Sequence, residues 1–275
     1  MKASNKMTFQ SDEEQQIIGK FLNRNNLFVH GLVSIDMLKA FLRNILVYKT
    51  NLIRLGAKND GGYLVPDDLD NISCCFSPGV DSTIYFEKDL AKKKIPSYLL
   101  DSSIDKLPET NDLFHFEKKF LGISNNDKFI NINSWIRKSC PIKKETDFIL
   151  QMDIEGCEYE VLLDFEKELM KRFRILVIEF HFLYNIINPI IYRIINSVFE
   201  KILENFYIVH IHPNNYAKPM NILGHDIPNV MEFTFLRKDR LNDKTLVSKL
   251  PHNLDRKNIE ENEDVVLPSY WYNNI

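Results

Sequence analysis

The chain has 275 residues, 44% of them apolar, which suits one large domain or a domain with an appendage. Its 35 basic and 38 acidic residues leave a net charge of −3, so no broad cationic surface for nucleic acid is expected. The N-terminal MKASNKMTFQSDEEQQ lacks the apolar core of a signal peptide, and no run is long enough to span a bilayer. A cytoplasmic protein is expected. Cys74, Cys75, Cys140 and Cys157 show no CxxC spacing and are expected as buried reduced thiols rather than metal or redox groups.

Residues 11 to 48 read as two helices. Ser11 with Glu14 resembles a capping box ahead of Ile17, Ile18, Phe21 and Leu22. Leu38, Phe41, Leu42 and Ile45 repeat at helical spacing, with Ser34 as the cap. These helices carry no chemistry; a lid, a packing appendage and a homodimer surface all remain open. Asp60, Gly61 and Gly62, between two apolar runs in residues 52 to 66, predict a hairpin. Paired glycines would also let backbone approach a ligand closely.

From Asn71, ISCCFSPGV predicts the first parallel strand, and STIYFEKDLAKKK the helix after it. A glycine beside a helix N-terminus can admit adenosine or phosphate groups, although Gly79 stands alone where a full fingerprint has three glycines. PSYLLD is the next strand, and Asp101 lies 22 residues beyond Gly79, where a carboxylate can accept bonds from ribose hydroxyls. Asp101 could instead simply cap a helix. The Phe-rich segment that follows predicts a third strand near Lys118 to Ile123, then a loop carrying Ser134 and Trp135. Trp135 could be core or a platform for a stacked base.

In DFILQMDIEGCEYEVL, a buried strand runs straight into Asp153, Ile154, Glu155 and Gly156, and a helix with Val161, Phe165 and Leu169 follows. Ligands of open α/β sheets bind beyond the carboxyl ends of the strands, where Asp153 and Glu155 would stand; the same carboxylates could merely favour the helix dipole. RILVIEFHFL is another central strand, ending in Glu179 and His181. Asn188 and Pro189 then open a helix with Ile191, Ile195, Val198 and Ile202 on one stripe. FYIVHIHPNN and VMEFTFLR are two more strands, with His210 and His212 on one face of the first. The acidic run Glu260 to Asp264 is expected as a solvated loop, and VVLPSYWYNNI as a segment that packs back on the body.

Three successive strand ends thus carry Asp153 and Glu155, Glu179 and His181, and His210 and His212. Six such groups together exceed what packing needs, because buried charges must be paired or bind something. Oxygen ligands mixed with imidazole suit Mg²⁺, Mn²⁺ or a softer first-row ion. A histidine outside the metal shell could act as general base.

CFSPGVDSTIYFEKDLA, YLLDSS, FLGIS and above all QMDIEGCEYEVL resemble the FkbM-type S-adenosylmethionine-dependent methyltransferases. DGGYLVPDDL, EFHFL, VHIHPNN and IPNVMEFTF resemble variants from a bacterial, surface-polysaccharide-associated branch, so the likeness covers about residues 52 to 238. It implies a Rossmann-like seven-stranded α/β sheet with the last strand antiparallel, over residues 51 to 240. An N-terminal helical extension (1 to 50) and a C-terminal tail (241 to 275) would flank it. By resemblance, Ser77, Pro78 and Gly79 match the first cofactor loop, Asp101 with Ser102 the ribose site, and Gly122 with Ile123 the adenine side. Asp60, Gly61, Ser134 and Asp153 complete the expected cofactor contacts. Related metal-dependent enzymes imply a divalent ion on Asp153, Glu179 and His181, with His181 standing where Asp is commoner. Catalysis is expected from Asp153 with His181 or His212, His212 lying nearer the strand mouth than His210. The implied reaction is O-methylation of a small polar acceptor: a sugar hydroxyl, nucleotide-sugar or phosphate-type oxygen of a capsule precursor. A non-catalytic binding protein on a decayed methyltransferase fold and a metal-dependent hydrolase remain the alternatives.

Overall fold

The computed structural model describes residues 12–27, 31–140 and 147–273. Seven strands make one mixed sheet: β1 (Ile72–Pro78), β2 (Ser97–Leu100), β3 (Phe114–Glu117), β4 (Asp147–Met152), β5 (Phe173–Phe180), β6 (Phe206–Pro213) and β7 (Met231–Arg237). Their order across the sheet is β3-β2-β1-β4-β5-β7-β6. The first five are parallel, and β7 runs antiparallel to both β5 and β6. The chain winds outward from β1 through β2 to β3, then restarts on the other side with β4. That reversal opens a crevice between the carboxyl ends of β1 and β4.

Both faces of the sheet are covered, which explains the near-continuous apolar runs of β4 and β5. One face packs on α2 (Ile35–Arg43), α4 (Ile132–Ser139), α5 (Glu158–Asp164) and α7 (Pro189–Leu203). The other packs on the hairpin Leu52–Gly56/Gly62–Pro66 and on α3 (Tyr85–Lys92). Phe199 of α7 joins the layers, with ring centroids 5.1 Å from Phe41, 5.0 Å from Phe180 and 5.1 Å from Phe233. Ser34 caps α2 by accepting from Met37 N, and Asn188 caps α7 ahead of Pro189. The helix Asp12–Arg24 follows the expected pattern but leaves Ile17, Ile18 and Phe21 exposed. Ser11, the cap expected for it, lies outside the described residues.

Two expectations are corrected. The third sheet strand is Phe114–Glu117, not Lys118 to Ile123. Lys118 and Lys119 end it, the first pairing with Asp105 and the second donating to Asn126 O, and Phe120–Gly122 then pairs separately with Phe129–Asn131. Ser134 and Trp135 lie on α4 and not in a loop, because the Asn131 side chain accepts from Asn133 N and Ser134 N and starts a helix there. Trp135 is 1% exposed, packed edge-on against Phe76 at 5.0 Å, and cannot serve as a base platform. In the tail, Trp271 is buried and donates from Nε1 to Asp226 O at 2.9 Å. The charged residues of the run 260–264 are exposed.

Truncating the residue that joins these layers should be expensive. Phe199→Ala is expected to cost about 3–5 kcal/mol of stability, read from the urea midpoint. Amide exchange in α2 should accelerate with it, since Phe41 loses its partner; unchanged α2 protection would contradict the packing described.

Candidate active site

The site begins where two backbones meet. Gly79, following β1, has φ +83°, and its N–H donates to Leu100 O at 2.8 Å. A Cβ there would fall 1.6 Å from the carbonyl oxygen of Asp153, the residue following β4. One glycine is therefore enough because it answers this chain-to-chain approach. A fuller glycine pattern would serve backbone approach to a ligand. Beyond the junction lies a cleft of about 570 Å³ with an apolar side (Phe120, Leu121, Phe129) and a carboxylate side (Asp60, Asp101, Asp153).

Asp101 is 5% exposed at the end of β2. Its Oδ2 accepts from Asp81 N at 2.9 Å, and its Oδ1 from Ser103 N at 2.7 Å and Ser103 Oγ at 2.6 Å. The carboxylate ties the loop after β1 to the loop after β2 and borders the cleft, while Oδ2 keeps acceptor capacity. It caps no helix.

The Asp153–Gly156 turn is held by a residue sequence reasoning passed over. Glu158, fully buried at the start of α5, accepts at Oε1 from Ile154 N and Gly156 N, both at 3.1 Å. Gly156, at φ +107°, lies where a Cβ would meet the Phe182 ring at 2.5 Å. The same Glu158 oxygen is 3.0 Å from Nδ1 of His181. That contact places the proton on Nδ1 and turns Nε2 toward Asp153 Oδ1 (3.8 Å) and Glu155 Oε2 (3.5 Å). Asp153, Glu155 and His181 offer donor atoms within 4.8 Å of one another. Asp153 Oδ1 is buried without a hydrogen-bond partner, and Tyr63 Oη donates to its Oδ2 at 3.4 Å.

Electrostatics sets the protons of this group. Burial and the neighbouring carboxylates of Glu155, Glu158 and Asp60 push the Asp153 carboxyl up to about 7, against the pull of His181. Burial disfavours charge on His181, but the Glu158 hydrogen bond and the carboxylates of Glu158, Asp153 and Glu155 outweigh it, so its pKa is raised. Along the sheet, Glu179, Glu232 and His212 pair in register on neighbouring strands. Glu179 accepts from Asn214 at 2.9 Å, Glu232 from Asn258 at 2.9 Å, and burial raises both carboxyls, Glu232 to about 7.

The structure brings Asp60, Gly61, Gly79, Asp101 and Asp153 to one cleft. Ser77 lies buried, bonded to Glu87 and Gln151. Pro78 and Ser102 flank lining residues without being among them, while Ile123 is exposed and Ser134 accepts from Asn125. Glu179 stays outside the three-residue donor group, where Glu155 stands instead. His210 and His212 are both buried, facing Asp255 at 2.9 and 3.8 Å. His212 is no nearer the mouth than His210 in exposure, at 3% against 2%. Glu87, Gln151 and Glu158 escaped the sequence reading. Glu158 had a signal, a carboxylate just inside a helix start two residues after a glycine.

Glu158→Gln removes the largest influence that raises the His181 pKa. The imidazole should therefore titrate at lower pH in the variant, as followed by NMR of the ring protons. An unshifted titration would mean that Glu158 does not orient His181.

With that geometry in place, comparison adds a match over part of the chain. Residues 130–207 match the methyltransferase FkbM domain, a span holding α4, β4, α5, β5, α7 and the Asp153–His181 group. It leaves out Gly79 and Asp101, which sequence resemblance had placed in the same likeness. No curated protein matches the chain. The matched span supports a methyltransferase.

Proposed function

We propose that this chain is an S-adenosylmethionine-dependent O-methyltransferase of the FkbM type, with a Rossmann-like domain over residues 51–240. The N-terminal helices and the tail flank that domain. The observation that carries the reading is the convergence of Gly79, Asp101 and Asp153, from three different strand ends, on one cleft. Its volume, about 570 Å³, falls within the range for cofactor sites. Asp101 would accept from a ribose hydroxyl at Oδ2, and Phe120, Leu121 and Phe129 would give apolar surface to the adenine. The small polar acceptor would lie beside Asp153 and Glu155.

The donor set suits a divalent ion. Two carboxylates and an imidazole whose other nitrogen is anchored by Glu158 form a recognisable ligand arrangement, and the unpartnered Asp153 Oδ1 faces it. Asp153, Glu155 and His181 would hold the ion, with Glu179 behind them. Bound there, it would supply the Lewis acidity that lowers the pKa of an acceptor hydroxyl.

The side chains account for the remaining steps. Bound in the cleft, S-adenosylmethionine would supply the methyl group to the acceptor oxygen, its carbon–sulfur bond breaking with the electron pair left on sulfur. The hydroxyl proton passes to Asp153, which lines the cleft where the acceptor would lie. Tyr63 and His181 position that carboxylate. Alignment in a walled cleft supplies much of the remaining rate. Asp153, with His181 as its partner, replaces His212 as the proposed base, because His212 lies against Asp255 and away from the cleft lining. A sugar hydroxyl, nucleotide-sugar or phosphate-type oxygen of a surface-polysaccharide precursor is the proposed acceptor, on the resemblance alone, and the cytoplasm the proposed location.

Calorimetry with S-adenosylhomocysteine tests the cofactor; absence of binding refutes the reading. Asp101→Asn should weaken that binding by about 1.5–3 kcal/mol, the range for hydrogen bonds to a charged group. The metal is tested separately. Treatment with EDTA should abolish methyl transfer to a competent acceptor, and Mg²⁺ or Mn²⁺ should restore it. Full activity in the stripped enzyme would leave an ion-pair cluster in place of a metal site.

A further inference from the structure

The inner wall of the cleft holds a carboxylate that the mechanism above does not use. Glu87, in the first turn of α3, is 2% exposed and lines the cleft. Its Oε1 contacts the Ser77 hydroxyl, which also lies 2.6 Å from Oε1 of Gln151. One hydroxyl proton cannot serve two acceptors. Either Glu87 holds a proton, or the Gln151 amide is turned so that its nitrogen donates. Neither arrangement supplies positive charge. Among the described residues, no Lys, Arg or His makes an ion pair or hydrogen bond with Glu87, and the titratable neighbour on β1 is the Cys75 thiol.

A carboxylate buried without a cation is costly unless something restores the balance. The plainest account is that Glu87 favours the N-terminal end of α3. That would explain an acid in the first turn, but not one buried against Ser77 and Gln151 in a ligand-sized cleft. Besides Glu87 the lining contains Asp60, Asp81, Asp101, Asp153 and Glu155 and no basic residue. A ligand with cationic groups is therefore favoured, and those groups should face the acids. For methyl transfer the sulfonium must face Asp153 and the acceptor, and the ribose takes Asp101. Of the other acids, Glu155 belongs to the candidate metal-ligating group, Asp60 accepts from Asn258 and Asp81 from Ser82, which leaves the remaining cation for Glu87.

We propose that Glu87, with Gln151 beside it, is the counter-charge for the α-ammonium of the cofactor's amino-acid arm. The assignment rests on the cofactor reading above and names the residue that recognises that arm. Burial pushes the free Glu87 carboxyl up to about 7, so an arriving ammonium should displace a proton near neutral pH.

The test compares two ligands by calorimetry on the full chain. S-adenosylhomocysteine carries the ammonium; 5′-methylthioadenosine keeps the adenosine and thioether but lacks the arm. Glu87→Gln should weaken S-adenosylhomocysteine about tenfold or more, and 5′-methylthioadenosine less than about twofold. For the wild type at pH 6.5, buffers of different ionisation enthalpy should reveal more proton release with S-adenosylhomocysteine than with 5′-methylthioadenosine. Equal losses for both ligands, or no loss for either, overturn the assignment. If Glu87→Gln fails to fold, the wild-type difference in proton release decides alone, and its absence is fatal. If neither ligand binds the wild type, the cofactor reading itself falls and takes this assignment with it.

Discussion

The close approach of Gly79 to the Asp153 carbonyl fixes everything above the sheet. β1 and β4 are adjacent and parallel, so their connections leave the sheet side by side in opposite winding directions. Nothing larger than hydrogen fits between them at Gly79. The contact brings the loop before α3 and the turn before α5 to one point. Asp101 holds the first through Asp81, and Glu158 holds the second through Ile154 and Gly156. Two acids that face a candidate ligand thus sit in loops braced by backbone hydrogen bonds, which supports precise placement of reacting groups.

The two ends of the sheet treat buried carboxylates in opposite ways. At the amino end of β4, Asp147 meets Arg174 at 2.8 Å and Arg237 at 2.7 Å. Burial raises its pKa, but the two guanidinium groups outweigh that and hold it below the usual carboxylate range. At the carboxyl ends, burial wins: Glu87, Asp153 and Glu232 are pushed up to about 7, and Glu179 well above its ordinary value. A fold needing only structural acids could have paired these as it paired Asp147. Carboxylates left protonatable together around a cleft are the usual sign of a working site.

Sequence periodicity made the sheet legible because strands covered on both faces read as unbroken apolar runs. The same reasoning found the hairpin from Asp60–Gly62 and the start of α7 from Asn188–Pro189. It failed at β3, where half-buried residues gave no clear run, and at α4, where the capping role of Asn131 went unnoticed. Within the site, acids directly after strands were legible: Asp101 and Asp153 reach the cleft. Glu87 and Glu158 were not, because a helical Glu reads as a solvated residue unless tertiary packing buries it. His212 misled for the converse reason. Its place near the end of β6 suggested exposure, but Asp255 from the tail lies against it.

The tail also reaches the carboxylates beside the cleft. Asn258 donates to Asp60 at 3.1 Å and to Glu232 at 2.9 Å, linking a hairpin residue that lines the cleft to a carboxylate inside the sheet. Asn215, just past β6, donates to Ile259 O and accepts from Ile259 N, fixing the tail in that place. Asp60 and Glu232 therefore lie under a cover made partly by a distant stretch of chain. Burial raises the Glu232 pKa, so the segments that supply the burial set its proton affinity. The hairpin and the tail contribute to the chemistry through desolvation, even where their own side chains touch no ligand.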